Sequence, residues 1–346
     1  MKLYKKFIPF PKIRDYLTAV TNITHAARFV SFNEETQEPT YNNDPLPTIT
    51  FTGTVKLHGT NASVCYNNVE GLWFQSRQNI ITTQNDNAGF AFFAENNKDS
   101  FKYIIDQIAI DNNISLDEYT ISLYGEWAGI GIQKGVGISN VDKKFYIFGV
   151  KISKPQDDEF VSYWIDSSKY SINENNIYNV CQFPTYSIDI DFNDYKNHVD
   201  ELSSITDAIE KECPVAKYFG ISGTGEGVVW VGEYKDSTYR FKVKGKKHSV
   251  VRSDKTIDVD PVKLESINAF IEYAVTDNRI DHGIQLIYGD GIFDKSKIGE
   301  FLKWIVNDII SEEGDKLIYN NLEPKDVNKY ISTKARKLLF SKLDLI

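Results

Sequence analysis

Hydrophobic and polar positions alternate along much of the first two thirds of the chain, which is the pattern of β-strands with one buried face. The run over residues 48–55 is one example, and its hydrophobic members are Ile49, Phe51 and Val55. Two further runs between 227 and 244 flank a turn at 235–237, which predicts a hairpin. Other strands are predicted over residues 72–77, 120–126 and 145–151.

Helical spacing of hydrophobic residues occurs between and before these strands. Residues 90–110 are predicted to form one helix, because their hydrophobic side chains recur three and four positions apart. An amphipathic stretch covers residues 13–32, and another helix is predicted near 195–212. The remainder of residues 154–215 is rich in asparagine and predicts little else.

The pattern changes after Pro261. Strand signals become few, and hydrophobic positions such as Phe301 and Ile305 follow helical spacing. We therefore predict an α+β protein of two domains. Residues 1–260 are expected to form antiparallel sheets flanked by helices, and residues 261–346 a small all-helical C-terminal domain.

The composition predicts a folded protein outside the membrane. Of the 346 residues, 41% are hydrophobic and 13% aromatic, which is enough for a sizeable core. No apolar run is long enough to cross a bilayer, and the basic start of the chain lacks the apolar centre of a signal peptide. The three cysteines lie far apart and the five histidines do not cluster, so neither disulfides nor a structural metal is expected. We expect a cytoplasmic protein.

The net charge of −9 argues against a nucleic-acid partner, because phosphate binding needs clustered cations. The charge is uneven, however, and local patches matter more than the sum. Two groups of basic residues stand out, namely Lys242, Lys244, Lys246 and Lys247 in one and Lys334, Arg336 and Lys337 in the other. The overall charge therefore weakens a nucleic-acid interpretation without excluding it.

Lys56 is the candidate nucleophile. It ends the first predicted strand, and Gly59 lets the backbone turn closely around a ligand. A lysine amine attacks only when neutral, and both desolvation and nearby positive charge favour the neutral form. Lys242 and Lys244 lie two residues apart on a predicted strand and share one face, from which they would act on Lys56 and on the phosphates that it attacks. The alternative is that this pair only solvates a sheet face.

Other side chains are weaker candidates when taken alone. The carboxylates Glu126 and Glu226 lie beside glycines at strand ends, where one would bind a ribose and the other magnesium. The alternative for each is a surface carboxylate. Four more candidates are Arg77 (phosphate, or a surface ion pair), Phe148 (a purine, or the core), His58 (phosphate, or a backbone partner) and Asn61 (a ligand, or a turn cap).

Two glycine-rich runs, residues 129–137 and 220–227, suggest a dinucleotide site at first sight. Neither run has the G-x-G-x-x-G pattern between a strand and a helix, and neither contains G-K-[ST]. We therefore reject both as Rossmann or P-loop signals.

Several short motifs follow one another in a fixed order between Lys56 and Lys244. They are Lys56-Leu57-His58-Gly59-Thr60-Asn61, Ser76-Arg77, Tyr124-Gly125-Glu126, Phe145-Tyr146-Ile147-Phe148, Glu226-Gly227-Val228-Val229 and Lys242-Val243-Lys244. Each is weak alone, but their order resembles that of the covalent nucleotidyltransferases, the superfamily of polynucleotide ligases and mRNA capping enzymes. The first motif resembles the one that carries the nucleotidyl-lysine.

Details within the motifs resemble the second phage-type family of ATP-dependent RNA ligases, which is related to the kinetoplastid RNA-editing ligases. His58 stands where DNA ligases and capping enzymes usually have Asp, and residues 132–136 and 327–336 also look like this family. The β-barrel OB domain that most DNA ligases and capping enzymes append is not evident. The resemblance implies a nucleotidyltransferase (ATP-grasp-like ligase) domain followed by helices.

The resemblance also implies a reaction in three steps. Lys56 would attack the α-phosphorus of ATP to form lysyl-AMP, the AMP would pass to the 5′-phosphate of an RNA end, and a 3′-hydroxyl would displace it. RNA ends or a nicked duplex are the implied partner, with Lys334 and Arg336 available for phosphates. No membrane and no obligatory protein partner is evident.

Site residues follow from the resemblance motif by motif. The catalytic residues would be Lys56, His58, Lys242 and Lys244. The adenosine and its phosphate would be held by Val55, Lys56, Leu57 (through its backbone), Asn61, Arg77, Glu126, Phe148, Lys242 and Lys244. Glu226 would position the metal, Mg²⁺ or Mn²⁺.

Two positions depart from the family pattern. Gly149 stands where an acidic residue is expected, so the ribose or metal contacts there would differ, and Trp127 replaces a smaller or aliphatic residue. The alternative enzymes are a DNA ligase and an mRNA capping guanylyltransferase. The alternative from another class is a nucleic-acid-binding protein with a degenerate catalytic pocket, against which the joint presence of Lys56, both glutamates and the paired lysines argues.

Overall fold

The computed structural model describes residues 3–32, 39–156, 159–245, 263–289, 293–319 and 322–342. Contacts between Cα atoms divide the chain into two compact units, Met1–Gly245 and Lys246–Ile346. The predicted boundary at Pro261 lies outside the described residues, as do Lys246 and Lys247 of the basic run.

The first unit mixes strands and helices. Its strands are β1 (Phe29–Phe32), β2 (Pro39–Tyr41), β3 (Thr48–Lys56), β4 (Thr60–Asn67), β5 (Gly71–Ser76), β6 (Ile80–Ile81), β7 (Thr120–Ala128), β8 (Lys144–Gln156), β9 (Glu159–Ile165), β10 (Ile177–Asn179), β11 (Thr185–Asp191), β12 (Gly227–Tyr234) and β13 (Ser237–Lys244). Its α-helices are α1 (Tyr16–Arg28), α2 (Phe90–Asn96), α3 (Lys98–Asp111), α4 (Val199–Lys211) and α5 (Pro214–Tyr218). Short 3₁₀ turns cover Gly137–Asn140, Asn173–Asn175, Val180–Gln182 and Phe192–His198.

Two large sheets form the frame of this unit. The first sheet has the strand order β10-β8-β7-β4-β5-β6, and β9 also pairs with β8. The pairs are antiparallel apart from β10 with β8. The second sheet has the order β11-β3-β12-β13 and is antiparallel throughout. Together with the flanking helices, these sheets confirm the predicted α+β class.

The second sheet has one hydrophobic face, which the alternating sequence produces. Along β3 the side chains of Ile49, Phe51 and Val55 are buried, and the intervening residues are more exposed. The helices α1 and α4 cover this face, and the shared core includes Tyr16, Ile23, Leu202, Ile209, Val228, Trp230 and Phe241. Residues on the opposite face, Lys56 among them, are therefore left outside this core.

The first sheet packs its hydrophobic face against α2 and α3. The core there includes Val64, Phe90, Phe101, Ile105, Ile108, Leu123, Phe145 and Ile147. Phe101 is fully buried, and its ring centroid lies 5.7 Å from that of Phe145. This packing leaves the other face of β7 and β8 for other contacts.

A β-bulge interrupts the pairing of β7 with β8. Tyr124 lies opposite Gly149, but the next residue, Gly125, lies opposite Ile147, so Phe148 is the extra residue. A bulge shifts the alternation of side chains by one position. Ile147 before it and Val150 after it therefore both reach the same core, while Phe148 packs on the other side.

The predicted single helix over 90–110 is wrong, because the chain forms two helices that meet at Asn97. The backbone of Asn97 is not helical, and its side chain donates a hydrogen bond to the Phe93 carbonyl at 2.9 Å. Asparagine side chains compete with the backbone for such bonds and therefore favour helix ends.

The stretch over 154–215 contains more structure than its composition predicts. Both β9 and β11 lie in it, and β11 pairs with β3 along its full length. Only Ile188 and Ile190 of β11 are buried. The strand was missed because two buried positions among polar residues give a weak pattern.

The predicted hairpin is present as β12 and β13. Lys235 and Asp236 join the strands, and both have positive φ angles, 46° and 57°. Two residues in this conformation match the twist of antiparallel strands, so the turn sets the register of the hairpin.

The second unit is helical in its described residues, as predicted. Its helices are α6 (Lys263–Ala274), α7 (Asp277–Tyr288), α8 (Ile298–Tyr319) and α9 (Pro324–Lys342). Phe301, Ile305 and Ile309 of α8 are fully buried at helical spacing. In neither unit do the described residues include a helix with both the length and the hydrophobicity that a membrane span needs.

We predict that Phe101→Ala destabilises the protein by about 3–5 kcal/mol, because it leaves a cavity in a fully packed core. Denaturant unfolding of the full chain measures this change. Phe92→Ala is the matched control, since Phe92 is 63% exposed and its loss should cost about 0.5 kcal/mol or less. Equal effects of the two substitutions would contradict the described core.

Candidate active site

Lys56 is the last residue of β3, and the sheet register places basic side chains beside it. Lys56 lies opposite Gly227 of β12, which lies opposite Lys244 of β13. Residues paired across strands point to the same face. Lys56 and Lys244 therefore share the face that the core does not use. Lys242 is on this face too, whereas Val243 packs against the core.

The carboxylate of Glu226 lies between these cations. Its Oε2 is 2.6 Å from Lys56 Nζ and 3.4 Å from His58 Nδ1, and its Oε1 is 2.9 Å from Lys244 Nζ. Glu226 is 3% exposed, whereas Lys56 is 20% and Lys244 33% exposed. A buried acid thus holds two lysines and a histidine together at the ends of three chain segments.

The electrostatics of Glu226 follow from this arrangement. Burial alone would raise the pKa of its carboxyl, but Lys244 and Lys56, together with His58, outweigh burial and hold that pKa well below its usual value. Pairing of this kind is what allows a charged group to be buried. Glu226 is therefore an anion at neutral and weakly acidic pH.

The ion pair changes the expected surroundings of Lys56. The sequence predicts like charge from Lys242 and Lys244 as its main electrostatic neighbour. The structure instead places Glu226 between Lys56 and Lys244. An opposite charge this close favours the protonated ammonium. The ion pair therefore works against the neutral form of the Lys56 amine.

Glu126 approaches the same site from the first sheet. It lies on β7 opposite Asn61 of β4, and its Oε1 accepts a hydrogen bond from the Gly59 N–H at 2.9 Å. Burial raises the pKa of Glu126, Lys56 partly offsets this effect, and the charge of Glu226 adds to it. The two carboxylates therefore differ, because only Glu226 is strongly stabilised as an anion.

The turn after Lys56 needs a glycine. A Cβ atom on Gly59 would lie 2.3 Å from the Trp127 carbonyl oxygen. The Gly59 carbonyl also accepts a hydrogen bond from Gln133 Nε2 at 3.3 Å. Both the N–H and the C=O group of Gly59 are thus hydrogen-bonded, to Glu126 and Gln133, which fixes the loop that carries His58. The sequence analysis assigned no role to Gln133. The one signal for it was its position within residues 132–136, which resemble the RNA ligase family.

The two glycine-rich runs meet beside this loop. The Gly137 N–H donates to the Thr224 carbonyl at 2.8 Å, and a Cβ atom on Gly223 would lie 2.5 Å from Gly137 Cα. A groove of about 390 Å³ lies along the runs, with Lys134 among its lining residues. The glycines here allow two backbones to touch, which is a packing role.

Arg77 and Phe148 lie in a second cluster around Phe10. Arg77 Nη1 donates to the Phe10 carbonyl oxygen at 3.2 Å. The Phe148 ring is edge-on to the Phe10 ring, with centroids 4.9 Å apart. Sequence reasoning missed Phe10, because an aromatic residue between two prolines matches no motif.

Val55 and Leu57 turn their side chains into the hydrophobic core, where they are 3% and 5% exposed. The predicted nucleotide contact of Val55 is therefore left to its backbone. For Leu57 the prediction named the backbone alone, and both contacts stay predictions.

The two departures from the family pattern have structural counterparts. A Cβ atom on Gly149 would lie 3.2 Å from the Trp164 ring, so the indole fills the space of the expected acid. The guanidinium of Arg240 lies 4.1 Å from the centre of that ring. Trp127 faces α2 instead, where its Nε1 donates to the Ala88 carbonyl at 3.0 Å.

Carboxylate oxygens are the groups here that suit a divalent cation. Across the described ranges no group of three His, Cys, Asp or Glu residues could hold a metal ion. Glu226 and Glu126 offer oxygen ligands, which Mg²⁺ and Mn²⁺ prefer. A cation at this site would complete its coordination with water and substrate phosphates.

Comparison with known proteins gives a match to one family model and a set of similar solved structures. The family model described as RNA ligase matches residues 49–244. Among solved structures, a Naegleria gruberi RNA ligase mutant with AMP and Mn is 16% identical with a TM-score of 0.42, and another mutant with ATP and Mn is 17% identical with a TM-score of 0.42. The same ligase with PPi is 18% identical with a TM-score of 0.39.

These alignments cover 72% of this chain and 59% of each Naegleria chain, so the protein spans less than two thirds of that ligase. No curated protein matches the sequence. The family model covers the stretch from β3 to the end of β13, which contains Lys56, Glu226 and Lys244. Because this stretch is more than half of its length, the chain belongs to the RNA ligase family.

Proposed function

We propose that the protein is an ATP-dependent RNA ligase that joins 3′-hydroxyl and 5′-phosphate RNA ends through a lysyl-AMP intermediate. The observation that carries this proposal is the cluster of Lys56, His58 and Lys244 around the buried Glu226. It brings an amine nucleophile, positive charge and a carboxylate together, which is what transfer of a nucleotide to lysine requires. A protein that only binds nucleic acid would not need this combination.

In the first step, Lys56 Nζ attacks the α-phosphorus of ATP. A phosphorus–nitrogen bond forms, the bond to the bridging oxygen of pyrophosphate breaks, and the amine gives up its extra protons to solvent. Lys242 and Lys244 lie on the same sheet face as Lys56 and neutralise charge on the phosphates and the leaving group. His58 orients a phosphate oxygen beside them.

Glu226 would hold the divalent cation, Mg²⁺ or Mn²⁺, with Glu126 close by. When bound, such a cation supplies positive charge to the phosphates of ATP. Glu226 also pairs with Lys56 Nζ at 2.6 Å. This ion pair would weaken if the carboxylate bound a cation instead, which would favour the neutral amine.

The adenosine lies between the two clusters in this proposal. Phe148 is half-buried at the β-bulge, where its ring is available for stacking on the base. The remaining contacts are assigned to Arg77, Asn61, Glu126 and the backbones of Val55 and Leu57. Arg77 acts on the ribose or phosphate through the fork of its guanidinium.

The AMP then passes to RNA. The 5′-phosphate attacks the phosphorus of lysyl-AMP and frees Lys56, and the 3′-hydroxyl of the second end displaces AMP and forms the phosphodiester. In the second unit, Lys334 pairs with Glu272 at 2.8 Å, whereas Arg336 is exposed on α9. Arg336 is therefore the better candidate of the two for a contact with RNA phosphate.

Lys56→Ala should abolish the covalent adenylate, because no amine remains to attack ATP. Incubation with α-labelled ATP followed by denaturing electrophoresis measures this. Lys102→Ala is the control, since Lys102 forms a surface pair with Asp106 and its loss should leave labelling unchanged. Persistent labelling of Lys56→Ala would show that another residue is the nucleophile.

Lys244→Ala should slow adenylate formation at pH 7 by about 100-fold, the usual cost of removing one group that stabilises a transition state. Single-turnover labelling measures the rate. Lys235→Ala provides the comparison within the same hairpin, because Lys235 Nζ contacts backbone carbonyls of α1 at the far end. Wild-type rates for Lys244→Ala would remove its role in the first step.

The wild-type protein should form its covalent adenylate with ATP when several nucleotides are compared. It should seal RNA strands when nicked RNA, DNA and hybrid duplexes are compared. Labelling by GTP in place of ATP would favour a capping guanylyltransferase. Sealing of nicked DNA in preference to RNA or hybrid nicks would favour a DNA ligase. Binding of RNA without any labelling would mean that the catalytic pocket is degenerate.

A further inference from the structure

Residues 8–14, which we call the strap, run from the first sheet to the second. Phe10 lies in the strap between Pro9 and Pro11. A residue that precedes proline is restricted to extended conformations, and proline itself has no N–H group. Ile8 and Phe10 are therefore both held extended, and their carbonyl oxygens accept hydrogen bonds from other elements.

The strap begins on the first sheet. The Ile8 carbonyl accepts hydrogen bonds from Tyr124 Oη at 2.6 Å and from Gln75 Nε2 at 3.0 Å. The Ile8 N–H donates to Gln75 Oε1 at 2.8 Å. These groups are buried, so the bonds fix the start of the strap to β5 and β7.

Phe10 contacts both of the residues that are proposed to hold the adenosine outside the Lys56 cluster. Its carbonyl accepts the hydrogen bond from Arg77, and its ring lies edge-on to Phe148. The same ring is 5.2 Å from Tyr124 and 5.3 Å from Trp164 between centroids. Phe10 is 7% exposed, so these contacts hold its position closely.

The strap ends on β13 of the second sheet. Arg14 pairs with Phe241 as an isolated bridge, and its carbonyl accepts a hydrogen bond from the Lys242 N–H at 2.9 Å. The guanidinium of Arg240, on the same strand, lies 5.7 Å from the centre of the Phe10 ring. One short segment therefore links the strand of Lys242 to the residues around Phe148.

We propose that Phe10 is a positioning residue for nucleotide binding, which acts through Arg77 and Phe148, and that the strap aligns these side chains with Lys242. The inference rests on the proposed function, because it assumes that Arg77 and Phe148 contact the adenosine of ATP. Phe10 itself touches neither the reacting phosphorus nor Lys56 in this scheme.

A positioning role of Phe10 differs from a purely structural role in the property that a substitution changes. Loss of a core contact lowers stability, but a folded variant would then bind ATP as the wild type does. Loss of the Phe10 ring should instead loosen Phe148 and Arg77, so that more ATP is needed for half-saturation. The chemical step at Lys56 keeps its own groups, so the maximal rate should hold.

Adenylate formation in the full chain, measured against ATP concentration, tests the proposal. For Phe10→Leu we expect the half-saturating ATP concentration to rise roughly three- to tenfold, the worth of an aromatic contact. The maximal rate should stay within about twofold of the wild type, because Lys56, Glu226, Lys242 and Lys244 are unchanged and the Arg14 carbonyl still accepts the Lys242 N–H.

Two further variants sharpen the comparison. Pro11→Ala keeps every side chain of the cluster but frees the backbone at the Phe10 carbonyl. We expect it to raise the half-saturating ATP concentration roughly two- to fivefold. Tyr4→Leu removes an aromatic contact of the same N-terminal segment, with Phe160 at 5.6 Å, and should leave half-saturation unchanged.

The outcomes separate the inference from the proposed function. If the wild type forms the adenylate and Phe10→Leu has the wild-type half-saturation, the inference is overturned and the proposed function stands. A fall in maximal rate alone also overturns it. If Phe10→Leu does not fold, an unchanged value for Pro11→Ala overturns it instead. If the wild type forms no adenylate, both the proposed function and the inference about Phe10 are overturned.

Discussion

A buried carboxylate needs cations around it, and the site is built on this constraint at Glu226. The acid is almost fully removed from solvent, and Lys56, Lys244 and His58 supply the charge and hydrogen bonding that compensate. Because Glu226 directly precedes β12, its placement depends on that strand lying between β3 and β13. The order of the second sheet is thus a condition for the cluster of Lys56, Glu226 and Lys244.

The sheet converts distance along the chain into proximity. Lys56 and Glu226 are separated by 170 positions in sequence and by 2.6 Å in space. The two-residue turn at Lys235 and Asp236 then returns the chain so that Lys244 arrives opposite Gly227. A shift of one residue in either pairing would turn the lysines into the hydrophobic core.

Much of the strand and helix arrangement could be predicted from the sequence, and the features that could not be predicted have physical reasons. Alternating hydrophobic residues revealed β3 and the hairpin because one face of each is more buried than the other. The strand β7 also alternates in sequence, although both of its faces are buried. The ion pair of Lys56 with Glu226 was not predictable, since no local pattern states which strands are neighbours. The helix break at Asn97 was missed because it depends on one side-chain hydrogen bond, which leaves no periodic pattern. The strand β11 was missed because only two of its residues are buried hydrophobic ones. Phe10 was missed because its contacts with Arg77 and Phe148 are tertiary and leave no local pattern in the sequence.

The bulge at Phe148 bears on how this protein can change over evolution. Phe148 is the unpaired extra residue of β8, while Ile147 and Val150 on either side of it serve one core. Removing such a residue restores regular pairing and leaves both neighbours facing inward. The side chain at position 148 can therefore change without turning Ile147 or Val150 away from their core, and the demands on it come from Phe10 and its other neighbours on the opposite face.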